Sequence, residues 1–353
     1  MLSLVGWSAS AQTLTLSYRN TQSLGNGSAA GQLSGLTYLG GNDWIVVADK
    51  RNELLPINVS FNPANGTTTT ITQSAKRIIG GVERDYEGIA FTGATRNTLL
   101  ISEEDSPAVR EFNFSTLAER GDSPLATPSV FLPPNLRGNL GFESLTYSQS
   151  TGSVFTANEE ALVPDGATAT SSQGTTVRIQ RYVPSGSSFA ASGQWAYKTD
   201  PIHGTNSGVT DPAAQCGLSD LVVLDDGRLL TLERSVYYTS FLGQPLPNFE
   251  SRIYVVSPTG SPASADTANP LSKTLLWSGS LGLSGNLEGL ALGPATANGR
   301  LVLGICDNAD NNLLAANLAA FELTVVPEPG IATVCCLACG ALLRRARPST
   351  RPH

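Results

Sequence analysis

Apolar and polar positions alternate along this chain in short runs that return in pairs. Thr13-Leu14-Thr15-Leu16-Ser17-Tyr18 alternates as a half-buried strand does, and Phe321-Glu322-Leu323-Thr324-Val325 does the same at the far end. Between them one unit recurs. It reads Ser34-Gly35-Leu36-Thr37-Tyr38, Glu87-Gly88-Ile89-Ala90-Phe91, Glu143-Ser144-Leu145-Thr146-Tyr147, Ser219-Asp220-Leu221-Val222-Val223 and Glu288-Gly289-Leu290-Ala291-Leu292. Each copy leads through a turn into a second apolar run with an acidic end: Val47-Ala48-Asp49, Ile101-Ser102-Glu103-Glu104, Ala157-Asn158-Glu159-Glu160, Thr231-Leu232-Glu233 and Ile305-Cys306-Asp307. A two-strand unit repeated with the same polar ends predicts a radial repeat, an all-β β-propeller in a single domain.

The repeats begin at 34, 87, 143, 219 and 288, so they lie 53, 56, 76 and 69 positions apart. A four-stranded blade takes about 40–50 residues. The two longer intervals therefore hold one blade with an insertion or more than one, and the expectation is five to six blades, six favoured. Leu54 to Phe61, Val109 to Phe114, Thr176 to Val183 and Arg252 to Ser257 read as outer strands. The two terminal strands are candidates to close the ring by pairing into the last blade. Leu162 to Thr175 and Pro201 to Gln215 read as long loops, and no linker divides the body.

Composition narrows the class. Charged residues are 14% of the 353, with 35 glycines and 21 prolines, which suits a turn-rich, exported β protein. A net charge of -7 and the lack of a basic stripe argue against nucleic acid as a partner. Cys216 and Cys306 each lie beside a repeat, and are either a disulfide of an oxidising compartment or two separate buried thiols. Cys335, Cys336 and Cys339 lie in an apolar tail, and no cysteine spacing resembles a zinc site.

The ends read as addresses. Ala9-Ser10-Ala11 fits the small-x-small cleavage rule, so residues 1–11 are read as a signal-peptide remnant. Val326-Pro327-Glu328-Pro329-Gly330 precedes an apolar run from Ile331 to Leu343 and then Arg344-Arg345-Ala346-Arg347. This order resembles the PEP-CTERM sorting signal, over residues 326–353, and leaves 12–325 as the propeller. The resemblance implies processing by an exosortase, transient membrane association through 331–343, and delivery to the surface or extracellular matrix of a bacterium with an outer membrane. An ordinary C-terminal anchor is the alternative, although the run is shorter than the ~20 residues that span a bilayer.

The candidate chemistry follows from the repeat. In an antiparallel hairpin the start of one strand lies beside the end of its partner. The strand openings (Glu87, Glu143 and Glu288, with Ser34 and Ser219 as polar equivalents) and the strand ends (Asp49, Glu103, Glu159, Glu233 and Asp307) should therefore gather at one mouth of a central channel. Clustered carboxylates repel unless a cation neutralises them or some hold protons. Hard oxygen ligands favour Ca²⁺, so these eight acids are the candidate metal ligands, with Arg234 and Lys50 as candidate binders of an anionic substrate. The alternative is that the acids satisfy turn backbone or pair with Lys50, Arg51 and Arg234. His203 is the only histidine before the tail, no Gly-x-Ser-x-Gly elbow is present, and no organic-cofactor fingerprint is found. A Ser-His-Asp triad would need His203 with Asp200 or Asp211.

Five segments also carry a family likeness. Leu33-Ser34-Gly35-Leu36, Asp85-Tyr86-Glu87-Gly88-Ile89-Ala90, Gly141-Phe142-Glu143-Ser144-Leu145, Gly217-Leu218-Ser219-Asp220-Leu221 with Asp226-Gly227-Arg228-Leu229-Leu230-Thr231-Leu232-Glu233-Arg234, and Asn286-Leu287-Glu288-Gly289-Leu290-Ala291 resemble the phytase-like family, also described as having esterase-like activity of phytase. The likeness runs from about Gln32 to Asp310. It implies a propeller and hydrolysis of phosphate or carboxylic esters, small or polymeric. The leading expectation is metal-assisted hydrolysis of a phosphoester at the acidic mouth. A non-catalytic propeller that binds a partner or polysaccharide is the second, and a carboxylic esterase the third.

Overall fold

The computed structural model describes residues 12–26, 31–308 and 315–326. The segments read above as a leader (1–11) and a sorting tail (326–353, except Val326), with Cys335, Cys336 and Cys339, lie outside the described residues. The chain enters with β1 (Thr13–Asn26), which belongs to the last blade. The first blade is β2 (Leu33–Gly40), β3 (Asp43–Ala48), β4 (Glu53–Phe61) and β5 (Thr68–Gln73), with the short β6 (Arg77–Ile78) also on β4. The second is β7 (Tyr86–Phe91), β8 (Thr98–Glu103) and β9 (Ala108–Asn113). The third is β10 (Phe142–Tyr147), β11 (Val154–Asn158), β12 (Thr176–Ser185) and β13 (Ser188–Lys198). The fourth is β14 (Gln215–Val223), β15 (Leu229–Phe241), β16 (Gln244–Val256) and β17 (Lys273–Gly279). The fifth is β18 (Asn286–Ala295), β19 (Gly299–Asp307) and β20 (Ala315–Val326), completed by β1.

The first strands of the blades, β2, β7, β10, β14 and β18, touch in that cyclic order and line the axis. The protein is thus an all-β, five-bladed propeller in one domain, closed by the antiparallel β1–β20 pair. The favoured sixth blade is absent among the described residues. The two long intervals go instead into the loops 162–175 and 199–214, and into a β15–β16 hairpin of two 13-residue strands.

Burial explains the sequence pattern. The axial strands are enclosed on both faces, so β7 and β10 are buried at every position but the last, polar Glu87, Glu143, Ser144 and Thr146 included. Outer strands such as β12 largely alternate buried and half-buried positions. Strand β3 shows how one period of two serves two cores. Trp44 and Val46 pack against Leu301, Leu303 and Ile305 of the fifth blade, while Ile45 and Val47 pack against Ile89, Leu99 and Ile101 of the second. Each blade is glued to both neighbours by side chains of alternating register. Cys216 and Cys306 are free thiols buried in different inter-blade cores, so they do not pair.

Candidate functional site

The axial strand of every blade carries one extra residue near its start. The register slips between Leu33 and Leu36, Tyr86 and Ile89, Phe142 and Ser144, Leu218 and Asp220, and Leu287 and Gly289. A β-bulge re-aims the side chain that it displaces. The residues at these slips include Ser34, Glu87, Glu143, Ser219 and Glu288. On the second strands, the partners of the residues just before them are Ala48, Glu103, Asn158, Glu233 and Cys306. One residue further on stand Asp49, Glu104, Glu159, Arg234 and Asp307. This second ring, four acids and one arginine, faces the axis.

The two rings line a cavity of about 210 Å³. Asp49, Glu87, Glu104, Glu143, Glu159, Glu288 and Asp307 reach it, together with Lys50 and Arg234. Glu87, Glu104 and Glu143, from the second and third blades, each offer a carboxylate oxygen within 4.8 Å of the other two. Arg234 spans the opposite side, donating from Nη2 to Glu159 Oε1 at 2.7 Å and from Nη1 to Glu288 Oε1 at 2.6 Å. Gln215 donates to Glu159 Oε2 at 2.9 Å, Asn286 to Glu288 Oε1 at 2.5 Å, and the Ser34 hydroxyl to Glu87 Oε2. Lys50 sits at the rim, 3.2 Å from both Asp49 Oδ2 and Asp85 Oδ1.

Burial with mutual repulsion sets the protonation. Burial first, then the charges of Asp49 and Glu104, raises the Glu87 carboxyl well above its usual range, and burial with Glu87 and Glu104 does the same to Glu143. Glu104 is pushed up to about 10 by burial and then Glu159, and Asp49 to about 8 by burial and then Asp85. Glu288 rises to about 7 through burial, with Arg234 pulling the other way. Burial works against the Arg234 charge, but Glu288 and Glu159 outweigh it and hold the guanidinium protonated. Without a bound cation Asp49, Glu87, Glu104 and Glu143 keep protons near neutral pH, while Glu288 is divided between its two forms. The donor set is all hard oxygen, which fits Ca²⁺.

Just below the rings the axial strands of neighbouring blades crowd together. A Cβ on Gly88 would stand 2.4 Å from Leu145 N, and one on Gly289 would stand 2.5 Å from Ser34 O, so the axial backbones meet where only glycine fits. Asp220 fills the equivalent place in the fourth blade. Its Oδ1 accepts from Leu221 N at 2.7 Å and Leu145 N at 3.3 Å, and its Oδ2 from Leu290 N at 2.6 Å. One buried carboxylate therefore ties three axial strands together. Burial pushes it up to about 8 against those three N–H donors.

Two of the eight candidate acids stand elsewhere. Glu103 is held by Arg84 Nη1 at 2.8 Å and Arg110 Nε at 2.7 Å, off the axis. Glu233, fully buried between blades, accepts from Tyr197 Oη and Lys273 Nζ, each at 2.5 Å, and from Asp200 N at 2.8 Å. Both occupy the same register position, one residue short of the ring that faces the cavity. Glu104 fills the place expected of Glu103, and Arg234 that expected of Glu233. Asp220 also escaped the sequence reading as a tie of the axial strands, and Asp85 as a buried acid beside the mouth. Lys50 and Arg234 are both engaged by carboxylates. The His203 ring nitrogen Nδ1 lies 2.7 Å from Ser235 Oγ, but Ser235 is 1% exposed and turned inward. Asp200 is taken by Lys273 at 2.7 Å and Tyr254 at 2.5 Å.

No curated protein matches the sequence. Among solved structures, the PQQ-bound aldose sugar dehydrogenase of Streptomyces coelicolor is 13% identical, with 89% of this chain and 100% of that chain covered and a TM-score of 0.41. MPT-4, a mannose phosphorylase from Leishmania mexicana, is 8% identical, with 83% and 85% covered and a TM-score of 0.39. The allergen Mala s 1 of Malassezia sympodialis is 9% identical, with 82% and 77% covered and a TM-score of 0.38. Residues 28–313, which supply all five axial strands and both rings of the mouth, match the model of the family described as phytase-like, esterase-like activity of phytase; the chain belongs to that family.

Proposed function

We propose that this protein is an exported hydrolase that cleaves a phosphoester at the acidic mouth with the help of a hard divalent cation. The observation that carries the reading is the convergence of seven carboxylates and only two basic groups on one cavity of about 210 Å³. Family membership supports ester hydrolysis as the reaction class. Glu87, Glu104 and Glu143 hold the cation. When bound, such an ion supplies Lewis-acid polarisation of a phosphoryl oxygen and lowers the pKa of water. Arg234, fixed between Glu159 and Glu288, faces an anionic oxygen of the substrate and offsets its charge. Glu288, with Oε1 held by Arg234 and Asn286, is a carboxylate of the cavity that burial raises to about 7, which suits it to exchange a proton at neutral pH.

The test is a turnover assay of purified protein on phosphoesters and carboxylic esters, with Ca²⁺, with Mg²⁺ and with chelator. Cation-dependent phosphoester turnover is expected, and no turnover of either ester class under any condition overturns the enzyme reading. The second reading, a non-catalytic propeller that binds a partner or polysaccharide, draws on the engagement of Arg234 and Lys50 by the acids. It would show a chelator-sensitive melting temperature without turnover. Carboxylic-ester hydrolysis that His203→Ala abolishes, with the fold intact, would move the chemistry to the His203–Ser235 pair. Export and surface sorting rest on the terminal motifs. Mass spectrometry of the mature chain checks them, with loss of the sequence after the Pro-Glu-Pro motif as the expected result.

A further inference from the structure

Beside the mouth, in the wall of the first two blades, lies a second acidic cluster outside the Glu104–Glu143 side. Asp49, Asp85 and Glu87 each present an oxygen within 4.8 Å of the other two. Asp85 is 3% exposed, and neither of its carboxylate oxygens has a hydrogen-bond partner; Asp49 Oδ1 is also buried without one. Buried acceptors of this kind cost free energy unless something occupies them. The nearest cation is Lys50. Its ammonium stands 3.2 Å from each aspartate, looser than the 2.6–2.7 Å contacts of Arg234, and its side chain is 52% exposed. Lys50 borders the axial cavity on one side and a lateral cavity of about 410 Å³ on the other, where Asp85 also opens. Its backbone has φ 52°, a left-handed conformation unfavourable for a side-chain-bearing residue, at the turn that leads the ammonium back over Asp49.

We propose that Asp49, Asp85 and Glu87 form a second cation site, which takes a hard divalent cation such as Ca²⁺ in exchange for the Lys50 ammonium. Lys50 is then the internal counterion of the empty site, and its flexible stem lets it swing into solvent when the metal enters. This assigns Lys50 a role opposite to substrate binding: it competes with the metal. The proposal shares Asp49, Lys50 and Glu87 with the lining of the mouth but not Glu104 or Glu143, and it stands or falls on binding rather than turnover.

The experiment is calorimetric titration of chelator-stripped full chain with CaCl₂, on the wild type, Lys50→Met, Asp85→Asn and Glu104→Gln. Lys50→Met is expected to bind Ca²⁺ about fivefold tighter or more, since the competing ion pair is gone. Asp85→Asn is expected to lose one equivalent of Ca²⁺ that Glu104→Gln retains. Unchanged or weaker affinity in Lys50→Met, or unaltered stoichiometry in Asp85→Asn, overturns the proposal. If only the Asp85-dependent equivalent binds, the mouth reading fails and this one survives. A measurement on the wild type alone guards against misfolded variants: acetylation of Lys50, followed by peptide mass spectrometry, should quicken when Ca²⁺ is added. An unchanged or slower rate overturns the exchange.

Discussion

Arg234 holds Glu288 across the blade boundary, with Nη1 2.6 Å from Oε1, at a ring position where the other four blades place an acid. The guanidinium is the fixed positive charge of an otherwise acidic ring. Arg234→Met leaves Glu288 and Glu159 buried without their partner. In chelator at neutral pH it should lower stability by about 3–5 kcal/mol, the usual cost of breaking a buried pair from one side. Urea denaturation measures this. Added Ca²⁺ should restore part of the loss, and an unchanged midpoint would show that the pair is not a mainstay of the mouth.

The raised carboxyls make stability depend on pH in a definite sense. A group whose affinity for protons is higher folded than unfolded stabilises the fold when protonated, and loses that contribution as pH rises through its folded value. Asp49 moves from 3.8 to about 8 and Glu288 from 4.5 to about 7. The metal-free protein should therefore lose melting temperature as pH climbs from about 4 to about 8. Saturating Ca²⁺ should flatten that slope, because the cation replaces the protons. A scan of melting temperature against pH, with chelator and with Ca²⁺, checks both halves.

Asp220→Asn keeps the shape of the axial tie but turns one acceptor into a donor. It then faces backbone N–H groups it cannot serve, at a cost of about 1–3 kcal/mol. Amide exchange at Leu290 or Leu145 should quicken in step. A variant as stable as wild type, with unchanged exchange, would show that the three strands hold together without it.

Glu103 and Glu104 are neighbours with different work. Glu104→Gln should cut turnover and Ca²⁺ affinity by about tenfold or more through loss of a ligand charge. Glu103→Gln should leave turnover unchanged and lower only the stability drawn from Arg84 and Arg110. Equal kinetic effects from the two would mean that the second ring was assigned to the wrong residue.

The same pair shows how far the sequence could be read. The repeat marked the inner hairpins, because short runs of apolar, small and hydroxyl side chains that recur with the same polar ends suit a doubly enclosed strand. It also placed Glu87, Glu143 and Glu288, since the bulge sits inside the repeated motif itself. The second ring was harder. Its residues lie just past the paired part of β3, β8 and β11, where alternation stops being a guide. Glu103-Glu104 offers two acids to one place, and choosing the wrong one shifts the side chain off the axis. The doublet Glu159-Glu160, with its first member on the ring, gave no help, because β8 pairs one residue further along its acidic doublet than β11 does. Glu233 is off by the same single residue, with Arg234 in the ring position behind it, although β15 stays paired on both sides there. Asp220 looked like another acid of the repeat, and only the three converging backbones show it to be a tie. The spare length after Glu143 and Ser219 suggested a further blade because interval alone does not separate a long hairpin from an extra sheet.

The closing pair has a mechanical meaning. Thr13 is the register partner of Val326, and Asn26 of Ala315, so the two ends of the described propeller leave from the same side of one antiparallel ladder. A pull between those ends loads the bonds one pair after another and unzips the clasp instead of shearing it. The blade that yields first is the one that carries Glu288 and Asp307.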